Sequence, residues 1–232
     1  MKRALARVLA VAGGSVALLV GLVGVAHTSA GRPLLGAVTR MAHGGCPFGY
    51  DKPMSPEQRE RAQANFASKH RGDRAATSRP ALGFTLDHTT RAEIVAHFAA
   101  RGISCTQGKG LSDLTCNGVP SSALPGTPTP APARNLWLTF GTRQQLLSVI
   151  AVSRAPEPEA ISAAFVALRS EVDRAAGAVT ETHGNPDPHA LAEGALHQAS
   201  AEFRFRDYYA VQRATNLTKD FVLTEEYRSL PD

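Results

Sequence analysis

An α+β fold, with helices packed on one face of an antiparallel sheet, is expected from three features of this 232-residue sequence. Two stretches repeat apolar residues at helical spacing behind helix-start signals, one at Thr90 and one at Pro156 and Pro158. Others alternate apolar and polar residues with period two, as at Leu136, Leu138 and Phe140, or Phe203 and Phe205. Short glycine-bearing turns, Gln107 to Gly110 and Gly141 to Gln144, separate strands in the manner of hairpins.

The chain suffices for one ordinary domain plus appendages, and at 19% charged residues it is too polar to cross a membrane many times. Three cysteines, Cys46, Cys105 and Cys116, exclude a disulfide-dense miniprotein and a zinc ribbon. The formal charge of +5 suggests nucleic acid, but its distribution argues otherwise. Residues 1–30 hold Lys2, Arg3 and Arg7 and no acid, which leaves 22 basic against 20 acidic residues in the rest. No nucleic-acid partner is expected.

Residues 1–30 read as a signal peptide or signal anchor. Val8 to Ala26 is a run of nineteen uncharged residues, about 28 Å as a helix and close to the hydrocarbon thickness of a bilayer. It shows no polar face, which disfavours a buried globular helix. Left uncleaved, residues 8–26 anchor the protein in a bacterial inner membrane, with the bulk facing the periplasm. Cleavage near Ala30, after the small residues Thr28 and Ser29, would instead release a periplasmic or secreted protein. In both readings the positive charges before the run hold the amino terminus inside. Arg32 and Arg40 weaken that bias without reversing it.

Residues 31–80 form a juxtamembrane region with one peripheral helix. Ser55 caps it, Pro56 suits its first turn, Gln58 completes a capping box, and only Ala62, Phe66 and Ala67 offer apolar surface. Residues 71–80 are a polar linker.

The α+β domain spans 81–232. It begins with a short strand from Leu82 to Leu86, followed by a helix started by the Thr90/Glu93 capping box. That helix carries Ile94, Val95, Phe98 and Ala99 on its apolar face and stops at Gly102. Ile103 to Thr106 and Leu111 to Cys116 form a strand pair. A proline-rich connector at 119–134 then divides the domain into two halves. Strands at 136–140 and 145–152 follow, then a long helix to about Ala176 with Ile161, Ala164, Phe165, Leu168 and Val172 on one face. A loop with Gly184, Asn185, Pro186 and Pro188 leads to the Phe203 strand, whose alternating Arg204 and Arg206 suit a sheet with one wet face. The last strand passes through Phe221, Val222 and Leu223. Both halves run from helix to antiparallel strands without a residue-level repeat.

Gly83-Phe84-Thr85-Leu86, Thr89 to Ile94, Gly102-Ile103-Ser104-Cys105 and Leu114-Thr115-Cys116 together resemble a helix-plus-hairpin unit. That unit occurs in exported bacterial proteins of the β-lactamase-inhibitor-like and small outer-membrane-assembly lipoprotein group. The resemblance covers about 35 residues by pattern and the second half by element order. Cys46 lies far beyond the apolar run, unlike a lipid-bearing cysteine, and neither inhibition nor assembly is carried over.

Cys105 and Cys116 flank a turn on strands expected to pair, and export would place them where a disulfide persists. Such a bridge would contribute roughly 3 kcal/mol by chain entropy. Two independent core cysteines or a metal pair are the other readings. Met41, His43 and Cys46 are potential soft-metal or haem ligands in a glycine-rich stretch that otherwise serves for docking. His183, Asp187, His189 and His197 surround a proline-containing loop in no helical ligand spacing, so solvated histidines are expected there. His97 is expected opposite the apolar helix face, and Glu225 with Glu226 to mark a solvated surface.

No nucleophile elbow or phosphate loop is present in the sequence, so no catalytic residue and no cofactor are assigned. The leading function is a non-enzymatic, exported interaction domain that meets an unidentified protein of the bacterial envelope. The alternatives are a metal- or haem-binding periplasmic protein using Met41, His43 and Cys46, and a hydrolase whose residues converge only in three dimensions.

Overall fold

A computed structural model describes residues 55–108, 113–125 and 132–230. The leader at 1–30 and the Met41, His43 and Cys46 stretch lie outside the described residues. Among the described residues no helix is long and apolar enough to cross a membrane.

The fold is α+β, and its centre is an eight-stranded antiparallel sheet. Helix α1 (Pro56–His70) opens the compact unit that extends from Pro53 to Asp232. Its capping box forms as the sequence indicates: Gln58 N–H donates to Ser55 Oγ at 3.2 Å, and Ser55 N–H donates to Gln58 Oε1 at 2.9 Å. Strands β1 (Pro80–Ala81) and β2 (Phe84–Thr85) are a miniature hairpin where one strand was expected. Leu82 and Gly83 both take positive φ, as a two-residue hairpin turn requires, and this breaks the run in two.

The first half of the sheet consists of α2 (Arg91–Ala99), β3 (Cys105–Gln107), β4 (Leu114–Val119), β5 (Arg134–Phe140) and β6 (Leu146–Ala155). The second consists of α3 (Pro158–Ala176), β7 (Glu181–His183), the short α4 (Pro188–Ala192), β8 (Gln198–Arg204), β9 (Tyr208–Asn216) and β10 (Phe221–Ser229). The strand order is β3-β4-β5-β6-β10-β9-β8-β7. Each half is therefore a helix followed by a four-stranded meander, and the two last strands pair antiparallel at the centre. The proline-rich connector joins the neighbouring strands β4 and β5 inside the first half. The divide falls instead at Pro156 and Pro158, where Pro158 enters the first turn of α3.

The main core lies on one face. Helix α3 turns Ile161, Ala164, Phe165, Leu168 and Val172 into the same core as Ala199, Ala201, Ala210 and Ala214 of the sheet, whose side chains are short. Helix α2 adds Ile94 and Phe98, whereas Val95 is 43% exposed and Ala99 also faces solvent. The hairpin β1–β2 closes one end of this core, where Tyr208 donates its hydroxyl to Pro80 O at 2.6 Å.

Helix α1 is the exception to the expectation of one covered face. Tyr208 and Ala210 belong to the main core, while the alternate residues Tyr209 and Val211 pack with Ala67, Leu230 and Phe66 in a second cluster. Alternation along β9 thus places α1 on the opposite face.

Candidate functional site

The face that α1 partly covers is the first feature with functional geometry. In register, Trp137 of β5 lies between Thr115 of β4 and Ile150 of β6, and Val152 lies between Asn135 and Thr224. Over β8 to β10 this face is roofed by α1. Phe66 meets Tyr209 edge-on at 5.1 Å between centroids, and the Arg228 guanidinium sits 4.3 Å above the Phe66 ring. Over β4 to β6, Trp137, Ile150 and Val152 are half-buried, and no hydrophobic cluster of the described residues includes them.

Charge on this face is uneven. Arg204 grips Glu202 through Nε and Nη2 at 2.9 and 2.8 Å and lies 3.5 Å from Glu181, while Arg228 pairs with Glu226. Arg154 and Arg213, which flank the Val152 and Thr224 positions, have no ion pair among the described residues.

A cleft of about 810 Å³ opens at one end of the sheet, walled by α1, the β5–β6 turn and the β8–β9 turn. Its aspartates are engaged internally. Asp113 takes Arg59 at 3.3 Å and the Phe140 N–H at 2.8 Å. Asp87 accepts from Arg79 Nη1 at 2.5 Å and from Ser229 Oγ at 2.6 Å. Asp207 accepts the Ala76 N–H at 2.8 Å and lies 3.9 Å from Arg79 Nε. Asp87 and Gln144 in this wall hold positive φ, 64° and 61°. Their backbones are fixed by Asp87 N–H to Leu146 O and Arg91 N–H to Gln144 O, both 2.8 Å.

A third polar group is sealed in the main core. Arg134 Nε donates to Glu225 Oε1 at 2.9 Å with both side chains wholly buried, and Tyr227 donates its hydroxyl to Glu225 Oε2 at 2.8 Å. Burial, followed by the Glu225 charge, pushes the Tyr227 phenol well above its ordinary value. Glu171 of α3 is also raised, chiefly by burial. The Glu225/Glu226 pair is therefore split: Glu225 lies inside and only Glu226 faces outward.

The sequence-derived sites fare unequally. Cys105 and Cys116 are direct partners in the β3–β4 register and form a disulfide with Cα atoms 4.3 Å apart. The histidines near the 184–188 loop do not converge. His183 pairs with Glu181 at 2.9 Å, Asp187 caps α4, His189 lies 3.6 Å from Glu193, and His197 Nδ1 meets Ala190 O at 3.0 Å. Among the described residues no group of three or more His, Cys, Asp or Glu could hold a metal ion. His97 does not point away from the core. It is half-buried between Phe84 and Phe98, with Nε2 2.7 Å from Ala123 O.

The open face, the cleft and the buried pair were not assigned from the sequence, since each joins residues from distant segments. The one local signal is the alternation of Leu136, Leu138 and Phe140, which turns the intervening Trp137 to the opposite face. In comparison with known proteins, no family model, no curated protein and no solved structure matches this chain.

Proposed function

We propose that this chain is a non-enzymatic, exported interaction domain of the bacterial envelope, tethered by residues 8–26 or released by cleavage near Ala30. Its binding surface is the sheet face over β4 to β6. The observation that carries the reading is that open face, where Trp137, Ile150 and Val152 lie beside Arg154 and Arg213, which have no ion pair among the described residues. Tryptophan and arginine at the centre and border of an apolar patch are the residue types that dominate the energetics of protein interfaces. The disulfide Cys105–Cys116 is consistent with an oxidising compartment. The partner is another protein of the envelope and not a nucleic acid.

A photoreactive amino acid placed at Ile150 or Val152 in living cells tests this. A discrete crosslinked adduct is expected from both positions and not from Val166, which is 49% exposed on the outer side of α3. Equal crosslinking from all three positions, or no adduct from the sheet face, would refute the proposal.

A further inference from the structure

The cleft carries an inference independent of the open face. Its aspartates are engaged with Arg59, Arg79, Ser229 and backbone N–H groups, so they are poorly placed to receive a cation. Three of its arginines have no carboxylate partner among the described residues. Arg143 crowns the β5–β6 turn and Arg206 the β8–β9 turn, both solvent-exposed, and the Arg91 guanidinium donates to the neutral Gln107 Oε1 at 2.9 Å. Glu60 of α1 is the one acid of the cleft wall with no ion pair among the described residues.

The three guanidiniums stand on separate elements around an open trough. Guanidiniums carried by three separate elements fit several negative charges strung along an extended chain better than one compact anion. Planar guanidiniums in turn suit carboxylates, which accept two parallel N–H bonds.

We infer that the cleft is a receptor for a carboxylate-rich peptide segment, held by Arg91, Arg143 and Arg206.

The test uses fluorescently labelled hexaglutamate and the full-length chain in a non-ionic detergent, read by anisotropy. Saturable binding is expected that weakens about tenfold in Arg143→Glu/Arg206→Glu, the scale of two exposed ion pairs near the top of their usual range. It is expected to hold in Arg154→Glu/Arg213→Glu, which alters the open face and leaves the cleft intact. Inorganic phosphate should displace the peptide only at much higher concentration. Three results would overturn the inference: no saturable binding, an equal loss in both double variants, or displacement by phosphate at the peptide's own concentration. Retention of the wild-type circular dichroism spectrum separates loss of a charge from loss of the fold. None of these outcomes bears on the crosslinking from Ile150 and Val152, so the two readings fail separately.

Discussion

The two halves of the sheet share one connectivity and differ in what covers them. In the second half, the nineteen-residue α3 roofs one face and α1 the other, so β9 is buried on both sides through Tyr208, Tyr209, Ala210, Val211 and Gln212. In the first half, the nine-residue α2 buries only Ile94 and Phe98, and β5 alternates buried with half-exposed or exposed residues along its whole length. A strand packed on two sides is fixed by its core, whereas a strand packed on one side has a face available for recognition. The first half compensates for its thin cover with the Cys105–Cys116 crosslink at its edge.

The contact whose loss should most disturb this arrangement joins the halves. Arg134 belongs to the first half and Glu225 to the second, and neither side chain is exposed. Glu225→Leu strands a buried guanidinium and is expected to cost about 3–5 kcal/mol, whereas Arg134→Met/Glu225→Leu should recover most of that loss. Urea unfolding measures both. Trp137, the single tryptophan, reports on the first half, and far-ultraviolet circular dichroism reports on the whole. Coincident transitions are expected in the wild-type chain and separated ones in Glu225→Leu. A cost below about 1 kcal/mol, under that of an ordinary hydrogen bond, would mean that the pair does not hold the halves together.

The next effect is confined to one side of the comparison. Cys105→Ala/Cys116→Ala opens a loop with a sequence separation of 11 residues and should cost about 3 kcal/mol on the chain-entropy estimate. Hydrogen exchange should quicken in β3 and β4 and stay slow in β8 to β10. Uniform loss of protection would show that the crosslink supports the whole sheet rather than its thinly covered edge.

The same difference in cover explains what could be read in advance. Strand β5 was legible because one-sided burial imprints an alternation, and α2 and α3 because capping and proline signals precede an apolar face. Strand β9 escaped because two-sided burial removes the alternation, leaving a run that has no period. Strand β10 seemed to end at Leu223 because the next residues, Thr224 to Arg228, are mostly polar. Glu225 nevertheless belongs to the inner face, since its partner Arg134 lies 91 positions away and no local pattern can announce it. The cleft was illegible for the same reason, being assembled from α1 and turns that only the tertiary fold brings together.

The smallest effect tests the double cover of the second half through its acid response. Glu202 on β8 lies under α1, with Arg204 bonded to it and His70 Nδ1 3.5 Å away. Burial works to raise its pKa, but the bonded Arg204 guanidinium, with Tyr209 and His70 close by, outweighs burial and holds the carboxyl below its ordinary value. A carboxylate depressed in the folded state stabilises it fully above the unfolded value of about 4.3, and that contribution fades as pH falls through the folded value. Glu171, on α3 itself, has the opposite sign. Its pKa is raised chiefly by burial, so its charge costs stability at neutral pH and protonation relieves the cost as pH falls toward mild acidity. The unfolding midpoint should therefore rise slightly on leaving neutrality and then drop below about pH 4. Glu171→Gln should remove the rise and Glu202→Gln should flatten the drop, each by no more than about 1 kcal/mol, the scale of a partly exposed pair. An acid limb equally steep in Glu202→Gln would mean that α1 does not depend on this carboxylate. The second cover of the sheet would then rest on the apolar contacts of Phe66 and Ala67 with Tyr209, Val211 and Leu230.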